Sequence, residues 1–176
     1  EGKDINKAFG DKVIFKGAAF SIYNGSKVAL VGPNGSGKTT LIRMIMYNDE
    51  PIRIAQGAKI GYFSQDMDML NKNLSIIENV MESSIYPEGF ARLLLARLLF
   101  RGDAIYKKID ILSGGEQVKV SFAKMLLQDI NLLKLDEPTN YMDINALEVI
   151  EETLREYDRT LLFVSHDRRL VDAVAD

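Results

Sequence analysis

The 176-residue chain contains no cysteine. That excludes a disulfide framework and a thiolate zinc site, and it fits a reducing compartment. Histidine is nearly absent as well: His166 stands alone, which excludes a metal site built from paired histidines. Uninterrupted apolar runs do not exceed five residues, whereas a membrane-spanning helix needs about 20. The opening Glu1-Gly2-Lys3-Asp4 has neither an initiator Met nor the apolar core of a signal peptide, so the chain reads as a piece of a longer one. No charge dominates: 22 Lys and Arg face 25 Asp and Glu, for a net −3. Binding nucleic acid through a uniformly basic surface is thereby excluded, though a local basic patch is not. There is no internal repeat and no low-complexity tract. What remains is an ordinary globular mixture, 47% hydrophobic and 27% charged, long enough for one compact domain or a domain with a small subdomain.

Organisation follows from the apolar patterning. Val13 to Tyr23 alternates in part, with turn signals at Gly10-Asp11 and Asn24-Gly25, which predicts antiparallel strands. Three short apolar runs without alternation, Val28–Val31, Leu132–Leu135 and Leu161–Val164, suit parallel strands buried on both faces. Helical spacing follows the first two. Leu41, Ile42, Ile45 and Met46 share one side of Thr39–Met46; Leu147, Ile150, Leu154 and Tyr157 recur at steps of three and four. Strands alternating with helices predict an α/β fold with a mostly parallel sheet, preceded by an N-terminal antiparallel β subdomain. Between them, residues 74–127 read as an inserted helical subdomain. Lys134 interrupts its apolar run and is expected to snorkel, pair with an acid or face an accessible surface. The seven methionines are expected in the core.

One motif carries chemistry on its own. Gly32-Pro33-Asn34-Gly35-Ser36-Gly37-Lys38-Thr39 fits the phosphate-loop pattern G-x-x-x-x-G-K-[ST] in full, between an apolar strand and a helical segment. Such glycines let backbone N–H groups wrap a phosphate at a helix N-terminus. Lys38 is then expected at the β- and γ-phosphates and the Thr39 hydroxyl on Mg²⁺, with Thr40 continuing the helix start. No third glycine follows at the step a dinucleotide fingerprint needs. The run Leu132–Leu135 ends in Asp136 and Glu137. In a phosphate-loop fold Asp136 is placed to position Mg²⁺ and Glu137 to polarise an attacking water; the plainer alternative is a solvated acidic turn.

Further motifs identify a family. Leu112-Ser113-Gly114-Gly115-Glu116-Gln117 resembles the signature sequence of ATP-binding cassette (ABC) ATPases. Gln65 resembles that family's Q-loop glutamine, Asp143 its D-loop aspartate and His166 its switch histidine; Phe9 resembles the aromatic residue that stacks on adenine. Asp136-Glu137-Pro138-Thr139-Asn140 together with Ser165-His166-Asp167-Arg168 is similar to the ABC-F group, which lacks membrane domains and acts on ribosomes. Where members of that group often read Asn-His-Leu-Asp, this chain reads Asn140-Tyr141-Met142-Asp143, a departure compatible with the group's antibiotic-resistance branch.

The resemblance implies a phosphate-loop NTPase core, ATP and Mg²⁺ as cofactors, and catalysis by Glu137, His166 and Gln65. Thr39, Gln65 and Asp136 would hold the metal. Ser113, Gly114, Gly115 and Glu116 would bind the nucleotide of a second cassette in a head-to-tail ATP sandwich. It also implies a cytoplasmic protein without membrane insertion, acting on ribosomal RNA and tRNA, and hydrolysing ATP weakly as an isolated domain. The short stretch from Gln65 to Leu112 matches the second cassette of a two-cassette chain, here truncated at its C-terminus. The alternative is the ATPase subunit of a membrane transporter. Some residues keep plainer readings beside these. Ser113 is a good helix start in its own right, Phe9 could belong to a core, and Arg92, Arg97 and Arg101 could line a solvated face or touch RNA.

Overall fold

The computed structural model describes residues 1–63, 69–136, 138 and 144–176, with backbone alone at Asn145. The chain begins with a twisted antiparallel pair, β1 (Gly2–Phe9) and β2 (Lys12–Phe20), joined at Gly10-Asp11. The turn signal is borne out, but the strands lie further upstream than the alternation suggests, and β2 ends at Phe20. Parallel strands follow: β3 (Lys27–Leu30), β4 (Ile60–Phe63), β5 (Leu132–Asp136) and β6 (Thr160–Val164), ordered β3-β6-β5-β4. The three apolar runs are therefore neighbours, with β6 buried along its whole length between β3 and β5. The α/β class and the mostly parallel sheet are as expected.

The period of two divides the sheet's side chains between two cores. Leu133, Leu135, Leu161 and Phe163 join a large cluster with α4 (Gly114–Leu126) and α5 (Ile144–Glu156). Leu162 and Val164 pack instead with Ile42, Met44 and Ile45 of α1 (Lys38–Tyr47) and with Ile5 of β1. Helix α1 thus buries Met44 fully and Leu41 and Met46 only in part, because the hairpin covers a second side of it. Of the described methionines only Met44 and Met125 are fully buried.

Helices α2 (Ile76–Met81), α3 (Glu88–Arg97) and α4 lie between β4 and β5 in the chain. Both α2 and α4 begin in capping boxes, Ser75 with Glu78 and Ser113 with Glu116, which satisfy N–H groups the first helical turn leaves free. Buried Lys124 of α4 donates to Glu82 Oε2 at 2.7 Å and to the Met69 carbonyl at 3.0 Å, tying α4 to α2 and to the segment after β4. Two of the three singled-out arginines are engaged locally. Arg92 bonds Glu88 and the Tyr106 hydroxyl; Arg97 of α3 reaches Glu152 and Glu156 of α5.

Lys134 departs from expectation. It neither snorkels nor pairs with a described residue: it is fully buried in β5, and among the described residues its Nζ has no hydrogen-bond partner. The strand sits between β4 and β6 with both faces covered, so the side chain has no route to water. Burial lowers its pKa from 10.5 to about 8. The unfolded chain therefore binds more protons than the folded one between those values. The cost of burying this group is absent above pH 10.5, grows as pH falls and is fully present below about 8. We expect Lys134→Met to raise unfolding stability at pH 7.5 by about 1–3 kcal/mol. Urea unfolding at pH 7.5 and 9.5 should show wild-type stability rising with pH and a smaller rise in the variant.

Candidate functional site

Parallel strands all finish at the same edge of a sheet, and in open α/β sheets ligands bind beyond that edge. Here β3 runs into the Gly32–Thr39 loop and α1, β5 ends at Asp136, and β6 runs into Ser165-His166. A cavity of about 620 Å³ opens there. It gathers Lys38, Thr39 and Thr40 of the loop and α1, Asp136 of β5, His166 beyond β6, and Phe9 from the hairpin. Residues more than a hundred positions apart in sequence are thus brought to one wall-and-floor arrangement.

Three glycines of the loop have positive φ, Gly32 at +152° and the two that follow. Gly35 has φ +76° and Gly37 has φ +101°, both in the region that favours residues without a Cβ. Gly37 is constrained twice. A Cβ there would lie 2.4 Å from Ile14 Cγ2 and 2.8 Å from Phe15 Cζ, because β2 packs directly against the loop. The Lys38 ammonium donates to the Gly32 carbonyl at 2.8 Å and the Pro33 carbonyl at 3.1 Å, which holds it across the loop. Pro33, Asn34 and Ser36 are exposed along the loop, with Ser36 N donating to the Pro33 carbonyl.

The other walls are fixed by local hydrogen bonds. The Asp167 N–H donates to Ser165 Oγ, and the Asp167 carboxylate accepts from the N–H groups of Arg169 and Leu170 at the start of α6 (Arg168–Val174). That pinned turn presents His166 at the surface. Phe9 is 57% exposed, which excludes the core reading, and Lys7 Nζ lies 5.8 Å from the centre of its ring. Hard oxygen donors, the Thr39 hydroxyl and the Asp136 carboxylate, line the same cavity. Two such ligands suit Mg²⁺, which otherwise takes phosphate and water oxygens. Among the described residues no cluster of three or more His, Cys, Asp or Glu could hold a metal alone.

The signature residues stand elsewhere. Ser113 N and Oγ donate to Glu116 Oε2 at 2.8 and 2.7 Å, and these bonds hold the Glu116 carboxyl below its usual pKa. Gly114 and Gly115 open α4, and Gln117 Nε2 donates to the Leu112 carbonyl at 3.0 Å. None of Ser113, Gly114, Gly115 or Glu116 lines the cavity of the phosphate loop. Gln65, Glu137 and Asp143 lie outside the described residues. Lys12 was not singled out in the sequence, yet it lines the cavity beside Phe9. Its only local signal is its place just after the hairpin turn. A second, mostly apolar cavity of about 250 Å³ opens where Leu132 and Thr160 begin their strands, and none of the site residues lines it.

Gly37→Ala should lower stability by about 1–3 kcal/mol through backbone strain alone, with the clash against Ile14 and Phe15 adding to it. Thermal unfolding measures this. Unchanged stability would show that the hairpin yields freely to the loop.

Comparison with known proteins agrees with this geometry. The family model described as "ABC transporter" matches residues 15–140. The chain is 36% identical to the "ABC transporter F family member 5" of Arabidopsis thaliana over 99% of its own length and 26% of that protein. It is 37% identical to the "Ribosome protection protein VmlR" of Bacillus subtilis (strain 168) over 98% of its length and 32% of that protein. It thus spans about a quarter to a third of these relatives. Among solved structures, the archaeal ribosome recycling factor aABCE1, in complex with the ribosomal stalk protein aP1, superposes with a TM-score of 0.72 at 29% identity, covering 88% of this chain and 31% of that one. Loop, strand-end acid and fold converge with these likenesses: the chain belongs to the ABC transporter family and is one of its ATPase domains.

Proposed function

We propose that the chain is the ATP-binding and ATP-hydrolysing cassette of an ABC-F type protein acting on the ribosome. The observation that carries the ATP reading is the single cavity that collects Phe9, Lys38, Thr39, Asp136 and His166. In this reading Phe9 stacks on adenine. The loop amides and the Lys38 ammonium hold the β- and γ-phosphates, and His166 contacts the γ-phosphate. Thr39, Asp136 and Gln65 would hold Mg²⁺, which when bound neutralises charge on the phosphates. Glu137 takes up the proton of the attacking water. The protein's contribution is placement and charge stabilisation.

That none of the signature residues lines this cavity supports a shared site. Ser113, Gly114 and Gly115, at the N-terminus of α4, would contact the γ-phosphate held by a second cassette, and that cassette's signature would complete this one. The ribosomal role is supported by the likeness to VmlR and to an archaeal ribosome recycling factor. Either a translation role or antibiotic protection of the ribosome fits it, in the cytoplasm, with rRNA and tRNA as partners. Among the described residues no helix is long and apolar enough to cross a membrane.

Lys38→Ala should weaken ATP binding by more than about tenfold, the loss of at least one charge-assisted hydrogen bond, in calorimetric titration at fixed salt. Hydrolysis by the chain alone should be weak and rise faster than linearly with protein concentration. In the full-length protein, Glu137→Gln combined with the same change in its other cassette should block hydrolysis while leaving ATP bound, because an amide cannot accept the water's proton. Sucrose-gradient sedimentation of cell extract should then place the variant with ribosomes in an ATP-dependent way. Sedimentation with membranes instead would move the assignment to a transporter subunit.

A further inference from the structure

We infer that Lys12 is a second phosphate-contacting cation of the site, reaching from the hairpin across the phosphate loop to the phosphates nearest the nucleoside. The inference rests on the nucleotide reading of the cavity and assigns a residue that neither the phosphate-loop pattern nor the family motifs include.

Three observations carry it. First, the register of the β1–β2 pair sets Lys12 directly opposite Phe9, and both line the cavity. Second, the Lys12 side chain extends to the loop itself: a Cβ built on Gly35 would lie 3.1 Å from Lys12 Nζ. The missing side chain at Gly35, whose φ of +76° already favours glycine, is what gives the ammonium room beside the loop backbone. Third, among the described residues the Lys12 side chain makes no hydrogen bond or ion pair. Its neighbours are differently engaged. Lys7 sits over the Phe9 ring, and Lys38 is bonded to two loop carbonyls.

Charge makes the ligand class specific. Lys12 and Lys38 enter one cavity whose described lining holds a single carboxylate, Asp136. Two like charges converging without matching acids favour an anion of more than one charge between them. A di- or triphosphate supplies it. Lys38 starts α1, at the far end of the loop, whereas Lys12 is tied to Phe9 and approaches at Gly35. Lys12 therefore serves phosphates shared by ATP and ADP, not the γ-phosphate alone. Its solvent exposure keeps its share modest relative to that of Lys38.

The experiment is calorimetric titration of Mg²⁺-ATP and of ADP into the wild-type chain, Lys12→Gln, Lys12→Arg, Lys16→Gln and Lys38→Ala, at two salt concentrations. Lys16 is an exposed lysine of the same strand that does not line the cavity. Lys12→Gln should weaken ATP and ADP alike by about fivefold to tenfold, with a shallower salt dependence. Lys12→Arg should bind within about threefold of wild type, and Lys16→Gln should match wild type. Wild-type affinity in Lys12→Gln, with Lys38→Ala impaired, overturns the inference and leaves the nucleotide site standing. A loss confined to ATP overturns the placement at the shared phosphates. An equal loss in Lys16→Gln reduces the effect to general surface charge and also overturns it. Absence of nucleotide binding by the wild-type chain overturns both readings.

Discussion

The direct packing of the N-terminal hairpin against the phosphate loop is the contact on which the site depends. Ile14 and Phe15 press so closely on Gly37 that no side chain fits there. The same contact brings Phe9 and Lys12 over the ends of strands that are far away in the chain. Without it, the loop would still be a helix-terminal anion site, but one open to solvent on the side where a base would stack. Ile5 fixes the other end of this contact by joining the cluster of Ile42, Ile45, Leu162 and Val164 beneath. Burial of apolar side chains, a non-directional force, therefore positions the directional groups.

Parallel pairing supplies the second constraint. Because β3, β6 and β5 point the same way, their continuations meet at one edge, and the acid, the histidine and the loop converge there. The alignment also buries β5 on both faces, and Lys134 is enclosed with it. A charge held there without a partner among the described residues works against folding, and none of their contacts accounts for its presence.

What was legible in the sequence follows from the range of each interaction. The phosphate loop, the acid ending β5 and the helix start at Ser113 are local, and each could be read from a few adjacent residues. The three strands were legible as short apolar runs, although only β6 is buried along its whole length; β3, at the sheet's edge, is half-buried throughout, and Val31 beyond it is exposed. Strand β1 was not, since it buries only Gly2 and Ile5 and its pairing with β2 is broken by register shifts, which erase the period of two. The partial exposure of Leu41 and Met46 and the enclosure of Lys134 were illegible for a related reason: both depend on which element covers which, as does the approach of Lys12 to Gly35. The motifs around Gln65, Glu137 and Asp143 were legible as sequence alone.

The central claim is that this domain holds a phosphate site whose signature comes from another cassette. It is tested most directly by mixing two inactive variants of the chain. Lys38→Ala damages the phosphate loop and keeps the signature; Ser113→Arg does the reverse. In a head-to-tail pair the intact loop of one chain meets the intact signature of the other. The account predicts that the mixture hydrolyses ATP faster than the sum of the two variants measured separately at the same total concentration. A mixture no faster than that sum would contradict it.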